Sequence, residues 1–262
     1  MSRSSPHSHI LGILPSRWGS TRFPGKPLHP IAGKPLIQHV WERCSQCRLL
    51  DEVVVATDDE RILEAVKAFG GRAVMTSPDH PTGTDRIAEA ARSCGNATHI
   101  INIQGDEPLI EPSLIDELAQ AMLDDPGLDM ATAANPMAAD DPAIADPNVV
   151  KVVTTLAGRA LYFSRSPLPY QRHALKGISV LRHKGIYAYR RAFLDTFVGW
   201  APSPLELAES LEQLRALENG ATIQVILTCD SSPGVDTPEQ ALQIEKLLLA
   251  SLSSSAPPQS IP

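Results

Sequence analysis

Hydrophobic residues along the chain fall into two patterns, short continuous runs and longer stretches with helical spacing. Residues 10–14 and 53–57 are continuous apolar runs, which is typical of strands buried on both faces of a sheet. Residues 34–47 and 60–69 carry apolar side chains three or four positions apart, so we predict helices with one buried face. The alternation of the two patterns predicts a parallel sheet with helices on both sides.

The remaining elements follow from the same patterns. Further strands are expected at 74–76, 99–104, 129–134, 149–155, 160–163, 185–189 and 222–227, and further helices from residue 85 and at 112–123, 205–217 and 238–250. We therefore predict a three-layer, Rossmann-like α/β fold with a mostly parallel central sheet. It is expected to form one domain over residues 10–250, with a strand-rich insertion at about 136–190. Residues 1–9 and the Ser/Pro-rich residues 251–262 are expected to be disordered tails.

Composition narrows the class of protein. The chain has 262 residues, 43% hydrophobic and 20% charged, so it is long enough to bury a core without disulfides. No apolar run approaches the roughly 20 residues of a membrane span, and residues 1–9 hold no signal-peptide core. The four cysteines are scattered, as is usual in a reducing compartment. We expect a cytoplasmic protein without a membrane partner.

Charge is unevenly distributed along the chain. Residues 1–41 carry five basic side chains and no acidic one, whereas the remainder carries 18 basic against 30 acidic residues, giving a net charge of −7. An acidic protein lacks the broad basic surface that nucleic acids need, so we expect no nucleic-acid partner. A local cluster of cations in such a protein suits a small polyanion.

The cationic segment LPSRWGSTRFPGKPL, at 14–28, directly follows the first predicted strand. Open α/β sheets bind ligands at the carboxyl ends of their strands, where backbone N–H groups of glycine-containing turns hold anions. This segment offers two glycines, a hydroxyl at Ser20 and three cations, Arg17, Arg22 and Lys26. It lacks Walker spacing, and no G-x-G-x-x-G follows any predicted strand. We interpret it as a phosphate-binding loop; the alternative is a solvated surface turn.

Two aspartates are candidate ligands for a divalent cation. Asp106 follows the strand predicted at 99–104, so we expect it at the same sheet edge as the cationic segment. Asp236 precedes Thr237, Pro238 and a predicted helix. Mg²⁺ binds a few carboxylates together with substrate phosphates, and these residues fit that pattern. The alternative for each is a turn or a helix N-cap, and for Asp236 the local sequence leaves both interpretations open.

Two further patterns have weaker implications. His183 and Tyr187 lie four residues apart in a predicted strand and therefore share one face, as either core or ligand-binding residues. Cys44 and Cys47 match C-x-x-C, but they fall near the end of their predicted helix. A redox pair requires a helix N-terminus to lower the thiol pKa, so we interpret these cysteines as ordinary helix residues.

Eight segments together resemble the 3-deoxy-manno-octulosonate cytidylyltransferase family over about residues 10–248. They are LPSRWGSTRFPGKPL (14–28), VVVATDDERI (53–62), DHPTGTDRIAE (79–89), NIQGDEPLI (102–110), ALYFSRSPLPY (160–170), RHKGIYAYR (182–190), SPLELAESLEQLRALENG (203–220) and GVDTPE (234–239). The resemblance implies the nucleotide-diphospho-sugar transferase fold, a homodimer and dependence on Mg²⁺. It also implies transfer of CMP from CTP to the sugar acid 3-deoxy-manno-octulosonate (KDO), with release of diphosphate.

The resemblance further implies roles for the residues at the phosphate end of the site. Four are implied to be catalytic: Arg17, Lys26, Asp106 and Asp236. The two cations neutralise the triphosphate, and the two aspartates hold Mg²⁺. Ser20 and Arg22 are implied to bind substrate as part of the loop.

The remaining implied residues bind the base and the sugar. The segment 79–86 forms part of the cytosine pocket, through Thr82, Gly83 and Arg86. The sugar carboxylate is expected on Arg165 and His183, and the sugar hydroxyls on Gln104, Tyr187 and Glu212.

Three rival functions stay open at this stage. A cytidylyltransferase for another acid sugar, 8-amino-KDO or sialic acid, would share most of these segments. A non-catalytic CTP- or sugar-binding module would not need both Asp106 and Asp236. An oxidoreductase is disfavoured because the glycine fingerprint of nicotinamide binding is missing.

Overall fold

The structure is a computed structural model that describes residues 8–19, 23–173 and 179–254, with no side chain described after residue 250. Its strands are β1 Ile10–Ser16, β2 Pro30–Ile31, β3 Lys34–Pro35, β4 Glu52–Thr57, β5 Arg72–Met75, β6 His99–Asn102, β7 Met130–Met137, β8 Lys151–Thr154, β9 Ala160–Ser164, β10 Val180–Arg190 and β11 Ile223–Leu227. Its helices are α1 Leu36–Cys44, α2 Glu60–Ala68, α3 Gly83–Ser93, α4 Pro112–Asp124, α5 Arg191–Phe197, α6 Pro204–Glu209, α7 Gln213–Glu218 and α8 Pro238–Ser254.

The main sheet has the strand order β11-β7-β10-β6-β1-β4-β5. The neighbours β6-β1, β1-β4, β4-β5 and β11-β7 are parallel, whereas the long β10 runs antiparallel between β6 and β7. The β8-β9 pair branches from β10, within the region of the expected insertion. A mostly parallel central sheet is therefore confirmed, but β10, which falls within the insertion expected at about 136–190, is a strand of the main sheet between β6 and β7.

The core forms one apolar layer on each face of the sheet. Leu11 and Ile13 of β1 face a layer that includes α3, α5 and α7, whereas Ile10 and Leu14 face a layer that includes α1, α2 and α4. The neighbouring β4 alternates in the same way, because Val54 joins the first layer and Val55 the second. Because helices cover both faces of the sheet, the side chains on both faces of these strands are buried, which explains their continuous apolar sequence.

Most predicted elements are present with shifted ends, but the prediction of a single helix at 205–217 is wrong. The helix expected from residue 34 begins at Leu36, because Lys34–Pro35 instead pairs with Pro30–Ile31 across a tight turn. The single helix expected at 205–217 is two helices, and α5 was not expected at all. The apolar spacing was misleading there, because Leu207 is 68% exposed and does not face the core.

The break between α6 and α7 has a local cause. Ser210 adopts the left-handed conformation with φ 50°, and the N–H of Leu211 donates to the Glu206 carbonyl across the end of α6. The Glu206 carboxylate then accepts two bonds from Arg215 of α7, at 2.6 and 2.8 Å. The two short helices are thus held at an angle by a buried ion pair.

The ends of the chain differ from the expected tails where they are described. The backbone of His9 bonds to Thr98, beside β6. Helix α8 continues to Ser254, beyond the expected limit at residue 250. Residues 1–7 and 255–262 lie outside the described residues. No helix within the described ranges combines the length and the apolar character needed to cross a bilayer.

We predict that position 210 tolerates glycine but not a β-branched residue. Ser210→Val is expected to lower the free energy of unfolding by about 1–2 kcal/mol, because a branched side chain at positive φ is strained. Ser210→Gly should not lower it, since glycine adopts this conformation freely. Urea denaturation of both variants checks the difference. Equal stability of the two would contradict the explanation of the helix break.

Candidate active site

A cavity of about 420 Å³ opens at the edge of the sheet where β1 and β6 end. Its described lining residues are Pro15, Ser16, Arg17, Lys26, Pro27, His80, Pro81, Thr82, Gly83, Arg86, Gln104, Gly105, Asp106 and Asp236. Eight of the residues singled out in the sequence are therefore brought together here: Arg17, Lys26, Thr82, Gly83, Arg86, Gln104, Asp106 and Asp236.

Lys26 lies at the centre of the charged groups. Its Nζ atom is 2.6 Å from Oδ2 of Asp106 and 3.3 Å from Oδ1 of Asp236. The lysine side chain is 15% exposed, whereas the aspartates are 29% and 45% exposed and reach the solvent side of the cavity. One ammonium group thus joins two carboxylates that are distant in sequence.

Backbone contacts bring the two aspartates to this point. The N–H of Val235 donates to the carbonyl of Asp106 at 2.8 Å, which places Asp236 beside the loop after β6. Val235 is fully buried in a small apolar cluster with Phe23 and Ile31, close to the cationic loop. A side chain at Gly105 would lie 3.1 Å from the carbonyl oxygen of Pro15, so glycine permits this close approach.

The cationic loop is supported by an aromatic stack. The guanidinium of Arg61 lies 3.4 Å from the centroid of Trp18 and is held by two bonds to Asp59. Gly25 has φ +70°, and its N–H donates to the Trp18 carbonyl at 3.3 Å. A Cβ at Gly25 would lie 3.0 Å from the indole ring, which is tighter than usual, and the positive φ also favours glycine at this position.

Among the described residues of the loop, Arg17 is a cation without a carboxylate partner. It is exposed at the cavity, and no carboxylate of the described residues lies within ion-pair distance of it. A cation with this freedom can bind a phosphate without first breaking an ion pair. Ser20 and Arg22, also predicted to bind substrate, lie outside the described residues.

The two aspartates fit a magnesium ion. They converge on a cation already, since both contact the Lys26 ammonium. Within the described ranges, no group of three or more His, Cys, Asp or Glu residues could hold a metal alone. Mg²⁺ is commonly bound by one or two carboxylates plus substrate phosphates and water, which is the donor set available here.

Arg86 and Thr82 form the wall of the cavity opposite the cationic loop. Arg86 is almost fully buried, and its guanidinium donates to Asp58 at 2.8 Å and to Thr76 at 2.6 Å. Its charge is therefore neutralised within the protein. Thr82 caps α3, and its hydroxyl reaches the Glu212 carboxylate at 3.0 Å. Burial raises the pKa of Glu212, which hydrogen bonds from Thr82 and Thr84 partly offset.

The predicted sugar-binding residues extend beyond the cavity lining. Gln104 lines the cavity, and its amide nitrogen donates to the Gly185 carbonyl at 2.9 Å. Glu212 is joined to the lining through Thr82, whereas Tyr187, His183 and Arg165 are not part of the described lining.

His183 cannot act as a positively charged ligand near neutral pH. Its ring packs against Phe163 and Tyr187 with centroids 5.0 and 5.5 Å away, and its Nε2 is 3.0 Å from the Thr132 hydroxyl. Loss of hydration in this setting lowers its pKa to about 3. His183 is therefore a neutral hydrogen-bonding group, and its contact with the sugar carboxylate stays a prediction.

Arg165 retains its charge but has a fixed position. Its guanidinium donates to the carbonyls of Glu209 at 2.7 Å, Pro147 at 2.9 Å and Ser210 at 3.3 Å. Among the described residues, no carboxylate forms an ion pair with it. The Glu209 carboxylate lies nearby and accepts a bond from the Arg165 backbone N–H at 2.9 Å, but it does not pair with the guanidinium.

Sequence reasoning missed several residues of this region. His80 lines the cavity and pairs with Glu89, yet only its place within the segment 79–86 pointed to it. The Ser16 hydroxyl is buried at the end of β1 and has no described hydrogen-bond partner. Lys184 forms a buried ion-pair cluster with Glu107, and nothing in its local sequence signalled this.

A parallel α/β sheet with a cationic loop and paired carboxylates at its carboxyl edge defines a nucleotidyltransferase. The sequence profile of the family described as cytidylyltransferase matches residues 11–223. The chain belongs to the cytidylyltransferase family.

Similar proteins extend over nearly the whole chain. The 3-deoxy-manno-octulosonate cytidylyltransferase of Geobacter sulfurreducens is 53% identical, covering 92% of this chain and 98% of its own length. That of Pseudomonas syringae pv. syringae is 49% identical, with 90% and 96% coverage. The solved structure of CMP:2-keto-3-deoxy-manno-octonic acid synthetase complexed with CTP superposes with a TM-score of 0.89 at 46% identity, covering 93% of this chain and 100% of that one. The 4-diphosphocytidyl-2C-methyl-D-erythritol synthase of Anaerococcus prevotii, at 13% identity and a TM-score of 0.60, shares the fold.

We predict that neutral His183 makes folding stability depend on pH. Folded His183 stays unprotonated down to pH about 3, whereas the unfolded residue binds a proton near pH 6.5, so stability falls as pH decreases through that range. Between pH 7 and pH 5 this loss should be about 1–2 kcal/mol. Urea denaturation at both pH values should show that the loss is smaller by this amount in His183→Gln. An identical pH dependence in the variant would contradict a neutral buried imidazole.

Proposed function

We propose that the protein transfers CMP from CTP to KDO and releases diphosphate. Relatives covering over 90% of the chain carry the name of this activity, and the similar solved structure was obtained with CTP. The observation that carries the proposal is the Lys26 ammonium between Asp106 and Asp236, at the mouth of a cavity beside Arg17. This arrangement suits a triphosphate and a divalent ion.

The cationic loop is suited to the phosphate part of the reaction. Phosphoryl transfer requires positioning and charge stabilisation more than covalent chemistry by the protein. Lys26 and Arg17 would neutralise the triphosphate and stabilise the diphosphate as it leaves. The stack of Arg61 on Trp18 would keep the loop in place during this step.

Mg²⁺ is the proposed cofactor, and Asp106 and Asp236 would hold it. When bound, the ion would neutralise charge on the α-phosphate and lower the pKa of the attacking hydroxyl. The protein's contribution is to aim both carboxylates at one point and to keep Lys26 beside them. The 2-hydroxyl of KDO would attack the α-phosphorus in line with the leaving diphosphate.

The sugar would bind between the cavity and the insertion. Arg165 is the charged group proposed for the KDO carboxylate, because carbonyl groups fix its position without cancelling its charge. Gln104, Glu212 and Tyr187 are proposed to bind the hydroxyls. Neutral His183 would contribute a hydrogen bond.

We also propose a cytoplasmic homodimer in which the insertion contributes to the contact. Leucines on the β8-β9 connection, on β9 and on the nearby α6 are exposed: Leu156 fully, Leu161 by 59% and Leu207 by 68%. Exposed apolar side chains that come together in one patch are typical of interfaces between subunits.

The first test of the mechanism is Asp106→Asn. This variant should fold normally but release diphosphate at least about 10²-fold more slowly, which is the scale of losing one electrostatic stabiliser. A coupled diphosphate assay measures the rate. Asp124→Asn, at the exposed end of α4, is the matched control and should retain full activity. Near-normal turnover of Asp106→Asn would refute the assigned role.

The second test is a substrate panel. KDO, 8-amino-KDO and sialic acid are each offered with each nucleoside triphosphate in the presence of Mg²⁺, and diphosphate release is measured. We expect the highest kcat/KM with CTP and KDO. Preference for sialic acid or 8-amino-KDO would reassign the sugar, and binding of CTP with Mg²⁺ but without diphosphate release would indicate a non-catalytic module.

A further inference from the structure

A buried ionic cluster, which we call the Lys184 cluster, lies next to the chain segments that carry Asp106 and Asp236. The Nζ atom of Lys184, on β10, is 3.2 Å from Oδ2 of Asp230, 3.1 Å from Oγ of Ser232 and 3.6 Å from Oε2 of Glu107. The side chains of Lys184, Glu107 and Asp230 are only 7%, 14% and 4% exposed. The Ser232 hydroxyl also reaches Glu107 at 3.3 Å, so the cluster is continuous.

The members of the cluster come from the two segments that carry the aspartates. Glu107 is the neighbour of Asp106, whereas Asp230 and Ser232 belong to the segment that leads from β11 to Asp236. Lys184 itself belongs to β10, where it pairs with Ala133 of β7 just before an irregularity in the register. We infer that Lys184 is a positioning residue whose ammonium ties these two segments together and so keeps Asp106 and Asp236 at one site.

The charges of the cluster explain why the Lys184 ammonium would hold the two segments together. An ammonium group has three donors, and here the Asp230 carboxylate and carbonyl and the Ser232 hydroxyl accept them, while the Glu107 carboxylate lies at ion-pair distance. Without the ammonium, Glu107 and Asp230 would be two buried carboxylates with no shared counterion, and their repulsion would favour separation of the segments. The bond from the Val235 N–H to the Asp106 carbonyl spans the same junction and would report that separation.

Native-state hydrogen exchange at the Val235 amide tests the structural part without any substrate. The reference is the Ile103 amide, which bonds to Ile13 within the sheet. Relative to this reference, Lys184→Met should speed exchange at Val235 by at least about tenfold, because local opening becomes easier. Lys184→Arg keeps the charge and should restore most of the protection.

The matched control is the other buried lysine. Lys151 is fully buried and donates to the carbonyls of Asp146, Val149 and Arg165, none of which belongs to the two segments. Lys151→Met should leave the ratio of the Val235 and Ile103 exchange rates unchanged. If Lys184→Met does not fold, Ser232→Ala takes its place. In that variant the exchange rate at Val235, relative to Ile103, should rise by about threefold or more. An unchanged ratio in the folded variant, or the same increase in Lys151→Met, would overturn the inference.

The kinetic consequence rests on the proposed function, whereas the structural one rests on these contacts alone. In Lys184→Met, displaced carboxylates should raise the Mg²⁺ concentration for half-maximal diphosphate release by about tenfold and lower kcat by about 10–100-fold. A merely structural role would reduce the amount of folded enzyme but leave that Mg²⁺ concentration unchanged. If the wild-type protein releases no diphosphate, the proposed function fails, while the exchange experiment still decides the role of Lys184.

Discussion

The structure of the site depends on one shared cation. Asp106 and Asp236 are separated from Lys26 by 80 and 210 positions in the chain, yet both carboxylates contact its ammonium. Two carboxylates brought this close would repel each other without a positive charge between them. The proposed magnesium ion would be held by the same two carboxylates, so the contact that stabilises the site also lies where the proposed chemistry would take place.

Rigid elements around this contact keep it in place. The carboxyl ends of β1 and β6 supply the loops, and the glycine at position 105 allows them to approach closely. Trp18, stacked under Arg61, supports the cationic loop from outside, while the Lys184 cluster lies behind the aspartates. Sites held by packed side chains on strands keep the accurate geometry that phosphoryl transfer requires.

Burial assigns different roles to residues that look equivalent in sequence. Arg86 and Arg165 both carry a guanidinium group, but Asp58 pairs with the first while backbone carbonyls accept the bonds that the second donates. His183 was predicted to contact the sugar carboxylate together with Arg165, and desolvation keeps its ring neutral near neutral pH. These differences decide which groups can meet an anionic substrate, and they arise from neighbours that no local pattern contains.

The amino-acid sequence by itself determined the layered α/β architecture, the cationic loop and the two aspartates. Continuous apolar runs and helical spacing are local properties, and loops after buried strands must meet at one sheet edge. Only the tertiary structure decided that the helix expected at 205–217 breaks at Ser210, that His183 is neutral and that Lys184 joins the two aspartate segments. Each of these depends on partners distant along the chain and on the burial they create together, which periodicity does not encode.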